Sequence, residues 1–380
     1  MHALHLLVDE SLNTYRKVRP NSNTQSGIGL IELMVSAVIS LLLISAVIGL
    51  HVSSTSAYTT QINHVHNQEQ SRIAISFISR DIRMAGYFGC LSSTSLLNSN
   101  LNVDNDGNLF DSKWSLEGIE NASATPSWLP SNYSATALNV RPGTDAITIR
   151  YADSTETALL QFDAEATGSI NAVDEGNKFK VGNIVILSDC DKGDLFQVSN
   201  EPSSSNILEH AVGGISPGNL TSILGGVSAA EYEARPNGPS QVSKYYAVRY
   251  YIRNTDLSDS TSPPGLYRSY VSDQGKIYNS EVIAGIENLQ FLYGEDTDGS
   301  GTPNAYVKAS AVVNWRNIIS VQIGILARSI EQYGFESEQR QAAGGDFGSY
   351  ILLDETITIG NNSRYQRAEY STTVFIRNKL

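Results

Sequence analysis

The segment SGIGLIELMVSAVISLLLISAVIGLHV constrains this chain more than any other. From Ile28 to Leu50 it holds 23 residues, and only Glu32 is charged. At about 1.5 Å per residue, a helix of that length spans the roughly 30 Å hydrocarbon core of a bilayer. An ionisable side chain inside such a run is costly and by default marks function. The plainer alternative is that Glu32 sits at headgroup level and is tolerated there. An ordinary secretory signal has a shorter apolar core and a small-residue cleavage site at its far end. Thr55-Ser56-Ala57 is a weak match to such a site, and the core before it is too long.

The flanks of the run set its direction. Arg16, Lys17 and Arg19 precede it, with Asp9 and Glu10 further away. By the positive-inside rule the leader stays in the cytoplasm and everything after Leu50 is exported. The 380 residues then leave room for one large or two modest exported domains. A net charge of −13 reads as a solvated acidic surface and argues against a nucleic-acid partner, which calls for a basic face. There are two cysteines, Cys90 and Cys190, both beyond the apolar run in a compartment where a disulfide persists. One bridge between them is expected, closing a loop for which chain entropy suggests about 4–5 kcal/mol. The alternative is two buried free thiols.

Helical character continues to Gly86, with no proline between Ile28 and Gly86. Ile75, Ile78 and Ile82 share a face with Phe77 beside them, while Arg72, Ser76, Ser79, Arg80 and Arg83 take the other side. Gly86 supplies a stop. The stretch from Ser53 to Gln70 is polar and reads as a solvated helix. His64 and His66, two apart, do not share a face and so do not suggest a metal site. Residues 91–141, rich in Ser, Asn and Asp, read mainly as loop with short elements.

Strand signals then recur in AITIRY, NIVILSD, DLFQVS, KYYAVRYYIR, GLYRSYV, ENLQFLYG, IISVQIGILARS and STTVFIRN. Tyr245 to Val271, with Pro263-Pro264-Gly265 between two runs, reads as an antiparallel hairpin with a long turn. No crossover-length helix alternates with these strands, which argues against a doubly wound sheet. The reading is α+β: a long N-terminal helix, transmembrane in its first half, packed on a large antiparallel β-sheet domain. The divisions are 1–27 (leader), 28–50 (transmembrane), 51–86 (amphipathic second half of the helix) and 87–380 (β-rich periplasmic domain).

Catalytic constellations are missing from the sequence. No serine sits in a nucleophile elbow, and His210 is the one histidine of the β region. GGDFGS, residues 344–349, lacks every companion element of a kinase, so no catalysis is expected. The one ligand candidate is DTDGSGTPN. Counted from Asp296, oxygen-bearing residues recur at Asp298, Ser300 and Asn304, with Gly301 at position six and the Thr302 carbonyl at seven. This matches the first half of a calcium loop, whose hard cation takes several oxygens on a tight turn. Val307 stands where a bidentate glutamate belongs, so Ca2+ binding is expected to be weak. An Asp-rich turn without metal is the alternative. DNDG at residues 104–107 is a less specific candidate.

Gly27-Ile28-Gly29-Leu30-Ile31-Glu32-Leu33-Met34-Val35 resembles the type IV prepilin processing motif. The resemblance implies a dedicated peptidase that cuts between Gly27 and Ile28 and methylates the new N-terminus. The usual first mature residue is Phe, and here it is Ile28. Cutting would leave a cationic amine on Ile28 where water is scarce. Glu32 of a neighbouring subunit can neutralise it, since a buried charge is tolerable only when paired. RIAISFISRDIRMAGYFGC, VGNIVILSDCDKGDLFQVS, VIAGIENLQFLYGEDTDGSG, VNWRNIISVQIGILARS and YSTTVFIRN are similar, in this order, to segments of the PilW family of type IV pilus minor pilins.

The family resemblance implies a pilin-like fold and a non-catalytic role in initiating pilus assembly, at or near the pilus tip. It also implies an inner-membrane location before assembly and a cell-surface pilus afterwards. The implied partners are other minor pilins, the major pilin, prepilin peptidase, the inner-membrane assembly machinery and a tip adhesin. A minor pseudopilin of a type II secretion system shares the leader and fold. A membrane-anchored periplasmic enzyme or sensor would keep its leader uncut.

Overall fold

A computed structural model describes residues 29–91, 93–102, 109–111, 113–122, 140–160, 170–171, 178–202, 207–213, 215–224, 232, 240–256, 262–332, 349–359 and 365–379. The long helix, α1, covers Leu30–Met84 without a break, about 80 Å at 1.5 Å per residue. It stops where the sequence places the stop. Gly86 has φ of +77°, a left-handed conformation that glycine adopts without a Cβ penalty. Its N–H donates to the Arg150 carbonyl at 3.1 Å, so the turn that ends the helix also joins it to a strand. Arg83 in the last turn complements the negative end of the helix dipole. Asn378 Nδ2 donates to the Met84 carbonyl at 3.4 Å, satisfying one end-of-helix acceptor.

The chain divides into two compact units, one ending at Ala57 and the other beginning at Tyr58, and α1 contributes to both. Strands β1 (Leu97–Ser99), β2 (Leu116–Ala122), β3 (Thr144–Leu159) and β4 (Ile170–Asn171) come first. They are followed by β5 (Ile184–Ser188), β6 (Gly193–Gln197), β7 (Ile207–Leu208) and β8 (Gln241–Asn254). Next are β9 (Pro264–Val271), β10 (Ile277–Ala284), β11 (Ile286–Glu295) and β12 (Ala305–Val307). The last are β13 (Ile318–Arg328), β14 (Ser349–Leu352), β15 (Glu355–Thr358) and β16 (Arg367–Phe375).

One sheet runs β1-β6-β5-β8-β3-β2, and β8 is its fork. One edge of β8 pairs with β3; the other pairs first with β5 and then, from Val248 onward, with β9, which carries β10. The β1–β6 pair is parallel. The second sheet, β12-β11-β13-β16, is antiparallel throughout. β4–β7 and β14–β15 form small ribbons. This is the expected α+β fold, with every strand signal of the sequence lying in a strand.

Local corrections are instructive. The short elements expected within the loop-rich stretch 91–141 are β1 and β2. β9 begins at Pro264, whose ring leaves no N–H to pair, so Pro264 and Gly265 belong to the strand rather than the turn.

The main core lies where α1 and both sheets meet. Ala74, Ile78 and Ile82 pack with Ile147 and Ile149 of β3, Tyr250 and Ile252 of β8, Leu289 and Phe291 of β11, and Val321 and Ile323 of β13. Each buried large aliphatic side chain contributes on the order of 1.5–3 kcal/mol. Asn67, Gln70 and Ser79, read from the sequence as solvated, are buried. The helix meets the domain along a wider strip than its isoleucines mark, and Asn67 Nδ2 donates to the Gln366 carbonyl at 3.1 Å. His64 and His66 are exposed, as expected.

The two sheets are also joined through polar groups. Asp145 of β3 accepts from Phe291 N–H of β11 and from Asn121 N–H of β2, both at 3.0 Å. Burial pushes its carboxyl up to about 6, against the opposing pull of those two N–H groups.

Candidate functional site

In the first unit, every described residue from Gly29 to Ala57 is exposed in the single chain except half-buried Ser56. The exposed set includes Leu33, Leu42, Ile44, Ile48 and Leu50. Helix α1 is long and apolar enough to cross a membrane. Glu32 occupies the third helical position, and its carboxylate accepts from the Gly29 N–H at 3.3 Å. This is the side-chain half of a capping box, placing negative charge at the positive end of the helix dipole. The junction Gly27–Ile28 lies outside the described residues.

In the second unit, the structure brings the two cysteines together. Cys90 follows the helix stop, and Cys190 lies in the turn between β5 and β6. That turn is pinned by Asp189, which accepts from Asp191 N–H at 2.9 Å and Lys192 N–H at 2.8 Å. Ser188 Oγ donates to the Phe88 carbonyl at 3.3 Å, holding the post-helix loop against the end of β5. Both cysteines are thiols here. Partial burial, followed by a hydrogen bond with Cys190, pushes the Cys90 thiol up to about 12.

The Asp296 loop folds around its own carboxylates. Asp296 Oδ1 accepts from Gly299 N–H at 2.8 Å and Ser300 N–H at 3.1 Å, and its Oδ2 accepts from Gly301 N–H at 2.8 Å. Gly301 has φ of +78°. Asp298 Oδ1 accepts from Ser300 N–H and its Oδ2 from Asn304 Nδ2, each at 3.0 Å. The Ser300 hydroxyl, the Asn304 amide and the Ser300 N–H hold the Asp298 carboxyl down to about 2. The Thr302 carbonyl faces Ser300 Oγ at 3.4 Å.

Five calcium-loop residues are thus gathered, and the tight turn is formed. Asn304, however, turns its amide nitrogen to Asp298 and its oxygen to Thr297 N–H at 2.7 Å, so it must rotate to serve as a ligand. Glu295 is buried and accepts from Asn314 N–H at 3.1 Å, away from the loop, as expected of the neighbouring strand position. Among the described residues no group of three or more His, Cys, Asp or Glu side chains could hold a metal. His210 is buried against Phe196, ring centroids 5.3 Å apart. Residues 104–107 and 344–348 lie outside the described residues.

Sequence reasoning missed Asp81. It is buried on α1 and accepts from Tyr250 Oη at 2.6 Å, Tyr151 Oη at 3.1 Å and Arg80 Nε at 3.2 Å. Burial, then the nearby carboxylate, pushes both tyrosine hydroxyls upward, so they remain donors. An aspartate one residue from the apolar face of a helix carries no local sign that two distant strands will send tyrosines to it.

Residues 249–378 match the model of the PilW family, Type IV Pilus-assembly protein W. The match runs from β8 to the last 3-10 turn and takes in the Asp296 loop. It shows the PilW resemblance over the C-terminal third of the chain, and α1 and the cysteine pair lie outside it. No curated protein and no solved structure matches the chain.

Proposed function

We propose that this chain is a minor pilin. Prepilin peptidase cuts it between Gly27 and Ile28, and it then helps to initiate type IV pilus assembly at or near the pilus tip. The observation that carries the reading is the joint presence of a PilW match at residues 249–378 and an apolar first half of α1, exposed in the single chain and bearing one acid near its start. The mechanism is helix packing plus one charge pair. In the uncut chain Glu32 accepts from its own Gly29 N–H. After cutting, the new amine of a neighbouring subunit is a stronger partner for the carboxylate, because a charge-assisted bond exceeds one to a neutral amide and leaves neither buried charge unpaired. The exported domain supplies the surface met by other pilins or by a tip adhesin. The Cys90–Cys190 pair oxidises to a disulfide, and the Asp296 loop takes up Ca2+ weakly once Asn304 rotates.

Mass spectrometry of the N-terminus tests the processing step. A methylated Ile28 is expected, and Gly27→Ala is expected to leave full-length precursor in the membrane. Normal processing of that variant would misplace the junction. Glu32→Ala is expected to be cut and inserted, yet to fall severalfold in sheared pili. Unchanged incorporation would remove the role given to Glu32. Absence of the unaltered chain from sheared pili, with secretion lost on its deletion, would favour a secretion pseudopilin instead.

A further inference from the structure

The second unit contains a cleft of about 730 Å³ beside α1, floored by β3, β8 and β9. That volume lies within the range of small-molecule sites, roughly 300–1,000 Å³. Its walls are aromatic faces interrupted by polar groups, and two features suggest what it would take.

The first is a stacked tyrosine pair. The rings of Tyr151 and Tyr246 are parallel within 7°, with centroids 5.6 Å apart. Tyr151 cannot turn freely, because its hydroxyl is held by Asp81. The second is a guanidinium in the cleft wall. Arg268 lies over Tyr270 at 4.9 Å and Phe77 at 5.8 Å, and its Nε donates to Ser280 Oγ at 3.3 Å. No described carboxylate lies within ion-pair distance of it. The other charges of the cleft are committed: Arg80 to Asp81 at 3.2 Å, and Asp273 to Lys244 at 3.5 Å.

We propose that this cleft binds an acidic saccharide, with a pyranose ring on the half-exposed ring of Tyr246 and its carboxylate on Arg268. The electron-rich ring faces suit the C–H face of a sugar. Ser272 and Gln274 at the rim supply the mixed donors and acceptors that a polyol requires. One guanidinium with no described carboxylate partner suits one carboxylate. The site does not depend on the chain's part in a pilus.

The test is calorimetric titration of the full chain in detergent with oligogalacturonate, matched neutral galactose oligomers and inorganic phosphate. Oligogalacturonate should bind roughly tenfold or more tightly than the neutral oligomer, the difference one charge-assisted hydrogen bond supplies. Arg268→Gln should erase that ratio while leaving neutral binding in place. Tyr246→Ala, at a half-exposed position, should weaken both sugars, with an unchanged melting temperature showing that the fold is intact. The proposal is overturned if the folded chain binds neither sugar, if both variants bind as the unaltered chain does, or if phosphate competes as well as oligogalacturonate.

Discussion

The two halves of α1 follow opposite rules. From Leu30 to Ala57 the helix carries leucine, isoleucine and valine on every side and buries none of them. From Tyr58 to Met84 it is far more polar, yet Asn67, Gln70, Ser71, Ser79 and Asp81 are buried with Ala74, Ile78 and Ile82. A helix apolar all round finds its solvent in lipid or in other helices. The second half is fixed by packing against the domain and by partners at Asn67 and Asp81, which bond the Gln366 carbonyl and the Tyr151 and Tyr250 hydroxyls. Hydropathy alone would assign the inside and outside of these halves the wrong way round.

The sharpest test of this contrast is the cysteine pair, which belongs wholly to the second region. Oxidised protein should resist denaturant by about 4–5 kcal/mol more than reduced protein, the chain-entropy value for a loop of this length. Thiol labelling under denaturing, non-reducing conditions should find no free cysteine in exported material. Two labelled thiols there would refute the bridge.

Asp81→Ala would strip two buried tyrosine hydroxyls and Arg80 of their acceptor, at an expected cost of about 3–5 kcal/mol. Leu42→Ala, in the exposed half, should move domain stability by less than about 0.5 kcal/mol. Equal effects in urea unfolding would erase the distinction between the halves.

Asp145 sharpens the same point through pH. Its folded pKa, about 6, is raised above the ordinary 3.8, so the folded state holds a proton that the unfolded state releases. The stability this contributes is fully present below about pH 4 and is lost as pH rises to about 6. Relative to Asp145→Asn, the unaltered domain should lose about 2–3 kcal/mol across that window and then level off. A difference between the two that is flat with pH would mean that the carboxylate is better solvated than its burial implies.

Calcium should have the smallest effect. At millimolar Ca2+, a site in the 10⁻⁴ to 10⁻³ M range adds about 0.4–1.4 kcal/mol by mass action. The domain should therefore melt slightly higher than in chelator, and Asp296→Ala with Asp298→Ala should abolish the gain. A melting temperature indifferent to calcium would leave the segment a plain Asp-Gly turn.

Much of the fold was legible because its signals are local. The apolar run, the glycine stop and eight β-rich segments each announce themselves within a few residues. β2 and β10 did not. LEGIENA is poor in β-formers, and IYNSEVIA lies beside β9 with most of its side chains partly or fully exposed, so neither carries a clean alternation. The buried Asn67, Gln70 and Ser79 were misread because a polar residue looks solvated until the surface that covers it is known. The Asp296 turn was visible as a spacing, whereas the Tyr151–Tyr246 pair unites strands far apart in the chain.

The meeting of Cys90 with Cys190 also bears on how the protein would respond to being pulled. Tension applied through α1 and through the C-terminal sheet must run along the covalent chain, and without a cross-link it passes through every residue from 91 to 189. Once the two sulfurs are bonded, force crosses from the post-helix turn straight to the end of β5. On the order of 330 Å of contour length, at about 3.3–3.6 Å per residue, is then excluded from the stretch. The segment that includes β1 to β5 is then spared that load, while β3 keeps its place in the core.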